Sequence, residues 1–318
     1  MKRLLRTFAI GSGILLLAAL FVYFVRPAWL LELEFARLAA PAGLHEQRIV
    51  VGDDEWSYYD GGSGPVVVLV HGFAGYKEYW LDLARRLARD HRVVVPDLPG
   101  WGESQRRDDV DYGPAAQAAR LRAFLVALDL DDVLLVGHSM GGHISGLDAA
   151  DGDPRVRGLV LMDSAGFNFR ENAFVRRIAA GETPFNYSDR AGFDAFMHEL
   201  FVAPRWLPPR VKDVLIDANI ASHEFHERML RTITAPETRF LLESRLAEVR
   251  VPVLAVWCRG DQLLDVSSLD AVSRELPGAT IVKLGPCSHM PMMEQPDAVD
   301  QALREFEESM VAAPAPAG

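Results

Sequence analysis

The sequence predicts an α/β fold whose mostly parallel, doubly wound sheet is covered by helices on both faces. Short continuous apolar runs recur along the chain, and such runs are typical of strands buried on both faces of a parallel sheet. Helical patterns separate most of these runs, as expected of strand–helix–strand units. The composition, 49% hydrophobic and 24% charged over 318 residues, is that of a packed globular protein.

The predicted strands begin near residue 47. The stretch "RIVVGDDEWSYYD" predicts two strands joined by a turn at 52–55. The other runs are PVVVLV from residue 65, HRVVVPD from 91, DVLLVG from 132, VRGLVLMD from 156, VPVLAVW from 251 and ATIVKL from 279. Helices are predicted near 78–89, 115–128, 140–150, 267–275 and 297–311. We therefore assign residues 46–166 and 249–312 to one α/β core.

Residues 167–248 interrupt the strand–helix alternation and contain several short helical patterns. They hold nine of the sixteen phenylalanines of the chain. So long an insertion between two strands is better explained as a helical cap or lid over a site than as a loop. Because α/β folds bind ligands beyond the carboxyl ends of their strands, we expect some of these aromatics to line a substrate pocket. The candidates at the start of the segment are Phe167, Phe169 and Phe174.

The N-terminus carries an apolar segment between Arg6 and Arg26. Residues 7–25 hold no charge, and about 20 apolar residues cross a bilayer as a helix. Lys2, Arg3 and Arg6 precede the segment, so this end is expected to stay cytoplasmic and the bulk of the chain to lie on the other side. The sequence thus predicts an uncleaved single-pass anchor over 1–26, followed by a linker or interfacial segment at 27–45. The alternative is a cleaved signal peptide, whose apolar core is normally shorter, about 7–15 residues.

Charge and cysteine content exclude several classes of protein. The formal net charge is −11, which argues against a nucleic-acid partner because phosphate binding needs clustered Lys and Arg. Two cysteines, Cys258 and Cys287, are too few for a disulfide scaffold or a zinc ribbon. They flank the ends of what should be adjacent strands, and the sequence leaves open whether they form a disulfide or remain two buried thiols.

Ser139 is the candidate nucleophile. It lies in "VGHSMGG", directly after the predicted strand DVLLVG and before a helical stretch. A serine in a sharp strand-to-helix turn presents its hydroxyl above the sheet, and Gly137 and Gly141 lack the Cβ atoms that would clash there. Without this context, a plain glycine-flanked turn would be an equally good interpretation.

The serine needs a general base and an acid that orients it. His289, in "GPCSHMPMMEQP", is the histidine that follows the last predicted strand. Three aspartates end strands in the right region. Asp261 lies just past its strand, and Asp265 and Asp163 are the alternatives. His198, His223 and His226 fall in the inserted segment, where "SHEFHER" lacks the spacing of a zinc-protease motif, and we interpret them as ordinary surface residues.

Negative charge that develops on a substrate carbonyl needs fixed hydrogen-bond donors. In folds with this nucleophile turn, one is the backbone N–H after the serine and the other comes from the loop after an earlier strand. That predicts the backbone N–H groups of Met140 and Phe73, the latter in "HGFAG" at 71–75. His71 is expected to brace this loop rather than to transfer protons.

Taken together, "LVHGFAG", "PDLPGWGES", "VGHSMGG", "GDQLLDVSS" and "CSHMPMMEQP" resemble the α/β-hydrolase superfamily. The resemblance covers residues 65–310 and implies an α/β-hydrolase fold with a helical lid insertion. The anchor, the lid and "DQLLDVSS" are similar to membrane-anchored monoacylglycerol lipases. In that family the acid is the first aspartate of the G-D-Q-x-L-D stretch, which favours Asp261 here.

The sequence thus predicts a membrane-bound serine ester hydrolase acting on lipid-like acyl esters, monoacylglycerols foremost, without metal or cofactor. A carbon–carbon bond hydrolase of ring-cleavage products, with the same residues, is the second hypothesis. A catalytically inactive binding protein is the third.

Overall fold

A computed structural model describes residues 12–13, 17 and 19–312. Its eight strands are β1 His45–Val51, β2 Asp54–Gly62, β3 Val66–Val70, β4 Arg92–Pro96, β5 Val133–His138, β6 Val156–Met162, β7 Val253–Cys258 and β8 Thr280–Leu284. They form one sheet in the order β1-β2-β4-β3-β5-β6-β7-β8. β1 and β2 pair antiparallel, β2 and β4 pair antiparallel, and every other pairing is parallel. The prediction of a mostly parallel α/β sheet is confirmed.

The helices of the core are α1 Ala28–Ala39, α2 Leu81–Leu87, α3 Pro114–Ala127, α4 Met140–Ala150, α10 Ser268–Glu275, α11 Pro291–Glu294 and α12 Pro296–Ala312. Those of the β6–β7 connection are α5 Ala173–Ala179, α6 Arg190–Leu200, α7 Pro209–Ile220, α8 His223–Thr234 and α9 Leu241–Arg245. Short 3₁₀ turns lie at Ala40–Ala42, Lys77–Trp80 and Leu246–Glu248.

Helices pack on both faces of the sheet because strand side chains alternate between them. Val68 of β3 belongs to a buried cluster that contains Phe124 of α3 and Ile144 of α4. Its neighbour Leu69 belongs to a second cluster, with Leu83 of α2 and Leu303 of α12. The sheet is therefore covered on two sides, which explains why its central strands consist mostly of apolar residues.

The connection from β6 to β7, residues 163–252, lies entirely within the described chain and contains α5–α9 without a strand. It occupies the place where the sequence predicts the lid. The amphipathic pattern is strongest in α8, which buries Phe225, His226 and Met229.

Nine of the nineteen residues of the apolar segment 7–25 fall outside the described residues, and its spanning helix stays a prediction. In the described part of the chain, no helix combines the length and the apolarity needed to cross a bilayer. Residues 19–25 are helical and lead into α1.

Candidate active site

Five candidate polar residues lie at one edge of the sheet. β3, β5, β6, β7 and β8 run parallel, so their carboxyl ends meet there. The residues that follow these strands, in chain order, are His71, Ser139, Asp163, Asp261 and His289. Residues far apart in sequence are thereby brought to one side of the molecule.

Ser139 occupies the turn between β5 and α4 with φ 53° and ψ −121°. A non-glycine residue with positive φ is uncommon and persists where the surrounding structure imposes it. Here the Ser139 N–H donates to the Met162 carbonyl at 3.0 Å, and the Ser139 carbonyl accepts from Gly142 at 3.0 Å and from Ala165 at 2.9 Å. The turn is therefore held by β6 as well as by α4.

The glycines around Ser139 allow backbone segments to approach closely. A Cβ on Gly141 would lie 2.4 Å from the carbonyl oxygens of Val70 and His71. A Cβ on Gly72 would lie 2.8 Å from the Cβ of Ser139. The loop after β3 thus packs directly against the candidate nucleophile, and only glycine fits at these positions without displacement.

His289 and Asp261 form a buried hydrogen-bonded pair. His289 Nδ1 donates to Asp261 Oδ2 over 2.9 Å, and the two side chains are 4% and 0% exposed. Asp261 Oδ1 accepts from the backbone N–H groups of Leu263 at 2.8 Å and Leu264 at 3.0 Å. Three N–H donors thus meet at this carboxylate, and the His289 tautomer that the Nδ1–H bond imposes leaves Nε2 free to accept a proton.

The other two candidate acids, Asp265 and Asp163, form hydrogen bonds with other groups and not with His289. Asp265 Oδ1 accepts from the Ser267 N–H at 2.9 Å and lies 3.6 Å from Arg170. Asp163 contacts the strand end of β7, where its Oδ1 accepts from the Cys258 N–H at 3.0 Å. Of the three aspartates, Asp261 is the one whose carboxylate receives the His289 N–H.

No hydrogen bond of the described residues joins Ser139 to His289. In ligand-free enzymes the nucleophile–base contact is often long and shortens when substrate binds. His138 links the two loops instead, since its Nε2 donates to the His289 carbonyl at 2.7 Å and the two rings lie 4.8 Å apart. Burial lowers the pKa of His138 well below its usual range, so this contact is made by a neutral ring.

The backbone N–H groups of Phe73 and Met140 lie on the two segments that meet at Ser139. Within the described chain neither N–H donates to another protein group. Met140 is the first residue of α4, where the helix leaves its N–H groups without intrahelical acceptors. His71 braces the other segment, with Nδ1 donating to the Gly72 carbonyl at 2.8 Å and Nε2 accepting from the Leu98 N–H at 3.0 Å. Two free donors beside a serine are the arrangement that stabilises an oxyanion.

Cys258 and Cys287 form a disulfide, which decides the question left open by the sequence. Cys258 is the last residue of β7, three residues before Asp261, and Cys287 precedes His289 by two. The bond therefore ties together the loops that carry the acid and the base.

An aromatic wall faces Phe73 from the β6–β7 connection and the loop after β4. The Phe73 ring lies 4.6 Å from that of Phe185, 5.1 Å from Trp101 and 5.7 Å from His226. The His226 ring also stacks on Trp101 at 5.6 Å. The interpretation of His226 as a surface residue is wrong, because it is 6% exposed and burial lowers its pKa to about 4. The sequence signal that could have predicted its burial is its position on the apolar face of the amphipathic helix α8.

The three lid phenylalanines proposed from sequence occupy different surroundings. Phe167 is buried and packs edge-on against Trp257 at 6.4 Å. Phe174 is buried against Phe185 at 5.5 Å, and Phe169 is partly exposed. Phe174 thus connects through Phe185 to Phe73, whereas Phe167 packs behind the acid loop.

Comparison with known proteins agrees with this geometry. The family model described as "Alpha/beta hydrolase family" matches residues 67–302. Monoacylglycerol lipase ABHD6 of Bos taurus is 27% identical over 255 residues, which are 77% of this chain and 76% of that protein. Lipase 1 of Psychrobacter immobilis is 30% identical and covers 80% of each chain.

A solved structure described as a membrane phospholipase A and bacterial virulence factor superposes over most of the molecule. Its TM-score is 0.87 at 32% identity, covering 98% of this chain and 100% of that one. The similarity therefore includes the β6–β7 connection and is not limited to the sheet.

Proposed function

The chain belongs to the alpha/beta hydrolase family and is a carboxylic ester hydrolase, and we propose that it cleaves lipid-like acyl esters, monoacylglycerols foremost, through Ser139. The observation that carries the proposal is the serine held in a positive-φ turn at the same sheet edge as the buried His289–Asp261 pair. That combination presents a hydroxyl, a base and an orienting acid to one substrate position.

Ser139 Oγ attacks the acyl carbonyl while His289 Nε2 takes its proton. Asp261 keeps His289 in the required tautomer and stabilises the imidazolium. The N–H groups of Phe73 and Met140 donate to the oxyanion of the tetrahedral intermediate. His289 then gives the proton to the leaving alcohol, and water hydrolyses the acyl-enzyme by the same steps in reverse.

The lipid character of the substrate is supported by the side chains around the proposed oxyanion site. An apolar wall is formed there by Phe73, Phe185 and Trp101. It continues into the lid through Phe174 and Phe196. An acyl chain gains about 0.8 kcal/mol for each CH₂ transferred from water to such a surface. The names of the relatives, a monoacylglycerol lipase and a lipase, agree with this choice.

We also propose that residues 7–25 anchor the protein in a membrane with the catalytic domain on the non-cytoplasmic side. Large apolar side chains are exposed at the end of that segment, on the helix that follows it and in the β6–β7 connection, namely Phe24 at 56%, Trp29 at 48% and Trp206 at 78%. Arg210 of α7 lies over the Phe24 ring at 5.8 Å, which brings the lid next to the segment. Tryptophan and arginine together suit the membrane interface, and a disulfide suits an oxidising compartment.

The test is a series of esters with acyl chains from acetyl to long-chain, monoacylglycerols included, alongside ring-cleavage products. We expect kcat/KM to rise with chain length. An equal or higher rate on the acetyl ester would contradict the lipid assignment, and turnover of ring-cleavage products alone would favour the carbon–carbon hydrolase.

A fluorophosphonate probe tests the nucleophile separately. We expect the wild type to be labelled and Ser139→Ala to lose labelling, while Ser188→Ala, which changes an exposed lid serine, keeps it. A wild-type protein that is folded but unlabelled would instead support a binding protein.

A further inference from the structure

Asp163 is a buried acid for which the mechanism above has no role. It follows β6 directly, has φ 40° and is 0% exposed. Its N–H donates to the Val256 carbonyl at 3.0 Å, and its Oδ1 accepts from the Cys258 N–H at 3.0 Å. Aspartate is one of the few residues that adopt positive φ readily, but nothing in that preference requires a carboxyl group in the interior.

The carboxyl group of Asp163 lies beside the acid–base pair. One oxygen of Asp163, one of Asp261 and one nitrogen of His289 are mutually within 4.8 Å. The second oxygen, Asp163 Oδ2, is buried and has no hydrogen-bond partner as an acceptor. Such an orphaned oxygen is costly in a protein interior.

Acidic groups outnumber basic groups around Asp163. The acidic groups that face it are Asp261 and, more distantly, Glu294, while His289 is the one basic side chain of the cluster. Within the described residues, no Lys or Arg forms an ion pair with Asp163 or Asp261. The neighbouring Cys258 and Cys287 are in a disulfide and do not titrate.

Two adjacent carboxyl groups in a buried site do not both ionise, and the hydrogen bonds decide which one keeps its proton. Asp261 accepts three hydrogen bonds, from two backbone N–H groups and from the His289 N–H. Asp163 accepts one backbone N–H. Burial, followed by the charge of Asp261, raises the pKa of Asp163 well above its usual range.

We propose that Asp163 is a positioning residue whose carboxyl group is protonated at neutral pH and donates a hydrogen bond from Oδ2 to Asp261, holding that carboxylate in line with His289. The orphaned oxygen becomes a donor, and Asp261 gains a fourth hydrogen bond. This role rests on the proposed function of Ser139, His289 and Asp261, since it acts through them. Among the described residues no hydrogen bond joins Asp163 to Ser139.

Two substitutions separate hydrogen-bond donation from charge. Asp163→Asn keeps the size, an acceptor for Cys258 and an N–H donor for Asp261, whereas Asp163→Ala removes the donor. On a soluble ester we expect Asp163→Asn to retain kcat within about threefold, and Asp163→Ala to lose about 10- to 100-fold in kcat with KM little changed, because a misaligned base slows the chemical step. Asp265→Asn, in the same acid loop, is the matched control and should behave as the wild type.

Two kinetic outcomes would overturn the proposal. A loss in Asp163→Asn as large as that in Asp163→Ala would show that a negative charge at this position is needed. Wild-type kcat in a folded Asp163→Ala would show that Asp163 does not position Asp261.

A stability measurement tests the proton without relying on catalysis. A carboxyl group whose pKa is raised by folding binds more protons in the folded than in the unfolded state, so it destabilises the wild type increasingly as the pH rises above about 4. The free energy of unfolding of Asp163→Asn minus that of the wild type should therefore increase from pH 4 to pH 8. A difference that stays flat or decreases would mean that Asp163 is ionised.

Infrared spectroscopy gives the direct readout. Burial raises the pKa of Glu78 and that of Asp148 to about 7, so these groups also contribute to the carbonyl band of protonated carboxyl groups, and the readout is a difference spectrum. At pH 7 the spectrum of the wild type minus that of Asp163→Asn should contain this band, and its absence from the difference would overturn the proposal. If the ester panel shows no hydrolysis while this band and the stability trend are present, the function assignment fails but the proton on Asp163 stands.

Discussion

The backbone of Ser139 has a positive φ, a conformation that serine rarely adopts. A residue in a sparsely populated φ/ψ region costs about 1–3 kcal/mol. The surrounding hydrogen bonds to Met162, Gly142 and Ala165 offset that cost and make the turn part of the sheet edge. The proposed function explains this strain, since a relaxed turn would not direct the hydroxyl above the sheet.

Gly141→Ala should disrupt this turn. The added Cβ would lie 2.4 Å from two backbone carbonyl oxygens, which have no freedom to rotate away. We expect a destabilisation of about 1–3 kcal/mol from overpacking and a loss of about 100-fold in kcat/KM from displacement of Ser139. Ester kinetics and urea unfolding measure the two effects.

Gly278→Ala is the matched control for that substitution. No atom lies within 4 Å of the position where its Cβ would be. It should leave both activity and stability unchanged. Wild-type kinetics in Gly141→Ala would contradict the close approach of the loop after β3.

At the scale of the elements, β7 and β8 together support the loops that carry Asp261 and His289. The two strands pair in parallel from Leu254 with Thr280 to Cys258 with Leu284. The Trp257 side chain, in β7, donates to the Leu264 carbonyl at 2.9 Å and so fixes the loop that carries Asp261 to this strand. The disulfide joins Cys258, at the last paired position of β7, to Cys287, three residues after the end of β8.

Replacing both Cys258 and Cys287 by alanine should lower stability. The bond closes a loop between residues 29 apart in sequence, and constraint of the unfolded chain by such a loop contributes about 3–4 kcal/mol. We also expect a lower kcat, because the contact between Asp261 and His289 loses its covalent support. Urea unfolding measures the stability, with ester kinetics alongside.

A reductant supplies the internal comparison for this prediction. Dithiothreitol should lower the stability of the wild type toward that of the double variant and leave the variant unchanged. Equal stability of the oxidised and reduced wild type would show that the bond contributes nothing.

At the scale of the whole molecule, the acidic catalytic domain and the apolar N-terminal segment favour different surroundings, water and lipid respectively. The net charge of −11 favours solubility, whereas residues 7–25 favour a bilayer. Exposed Trp29 lies on α1, which follows that segment, and exposed Trp206 lies in the β6–β7 connection. A lid that faces the bilayer would receive its acyl esters directly from the lipid.

Two charges in the apolar segment should release the protein from membranes. Leu15→Asp with Leu16→Asp costs about 5–7 kcal/mol of insertion free energy near the centre of a spanning helix. We expect the wild type to remain in the membrane fraction after a carbonate wash and the Asp variant to be lost from it. Leu15→Ile with Leu16→Ile, which keeps the apolarity, is the control and should remain bound.

The mass of the mature protein decides between the anchor and a signal peptide. An intact N-terminus fits the anchor, whereas removal of the first 20 to 40 residues, about the length of a signal peptide and its cleavage site, would contradict it. Protease added on the non-cytoplasmic side should digest the catalytic domain, and full protection would contradict the proposed orientation.

Much of the fold was predictable because its determinants are local in the sequence. Apolar runs predicted β3 to β8, a turn between two β-rich stretches predicted β1 and β2, and the glycines around Ser139 predicted its turn, since each signal depends on a few consecutive residues. The position of His289 after the last strand followed from chain order. The sequence could also indicate that Asp261, Asp163 and Asp265 lie in one region, because each follows a strand and the carboxyl ends of parallel strands meet at one edge of the sheet.

The tertiary structure decided what depends on distances between those local pieces. It brought Asp261 rather than Asp265 to His289, closed the Cys258–Cys287 disulfide and buried His226 against Trp101. It also placed Asp163 beside Asp261 with one oxygen unpartnered. A sequence pattern reports which face of an element is apolar, whereas a hydrogen bond depends on separations of a few tenths of an ångström, and packing of all the elements sets those separations.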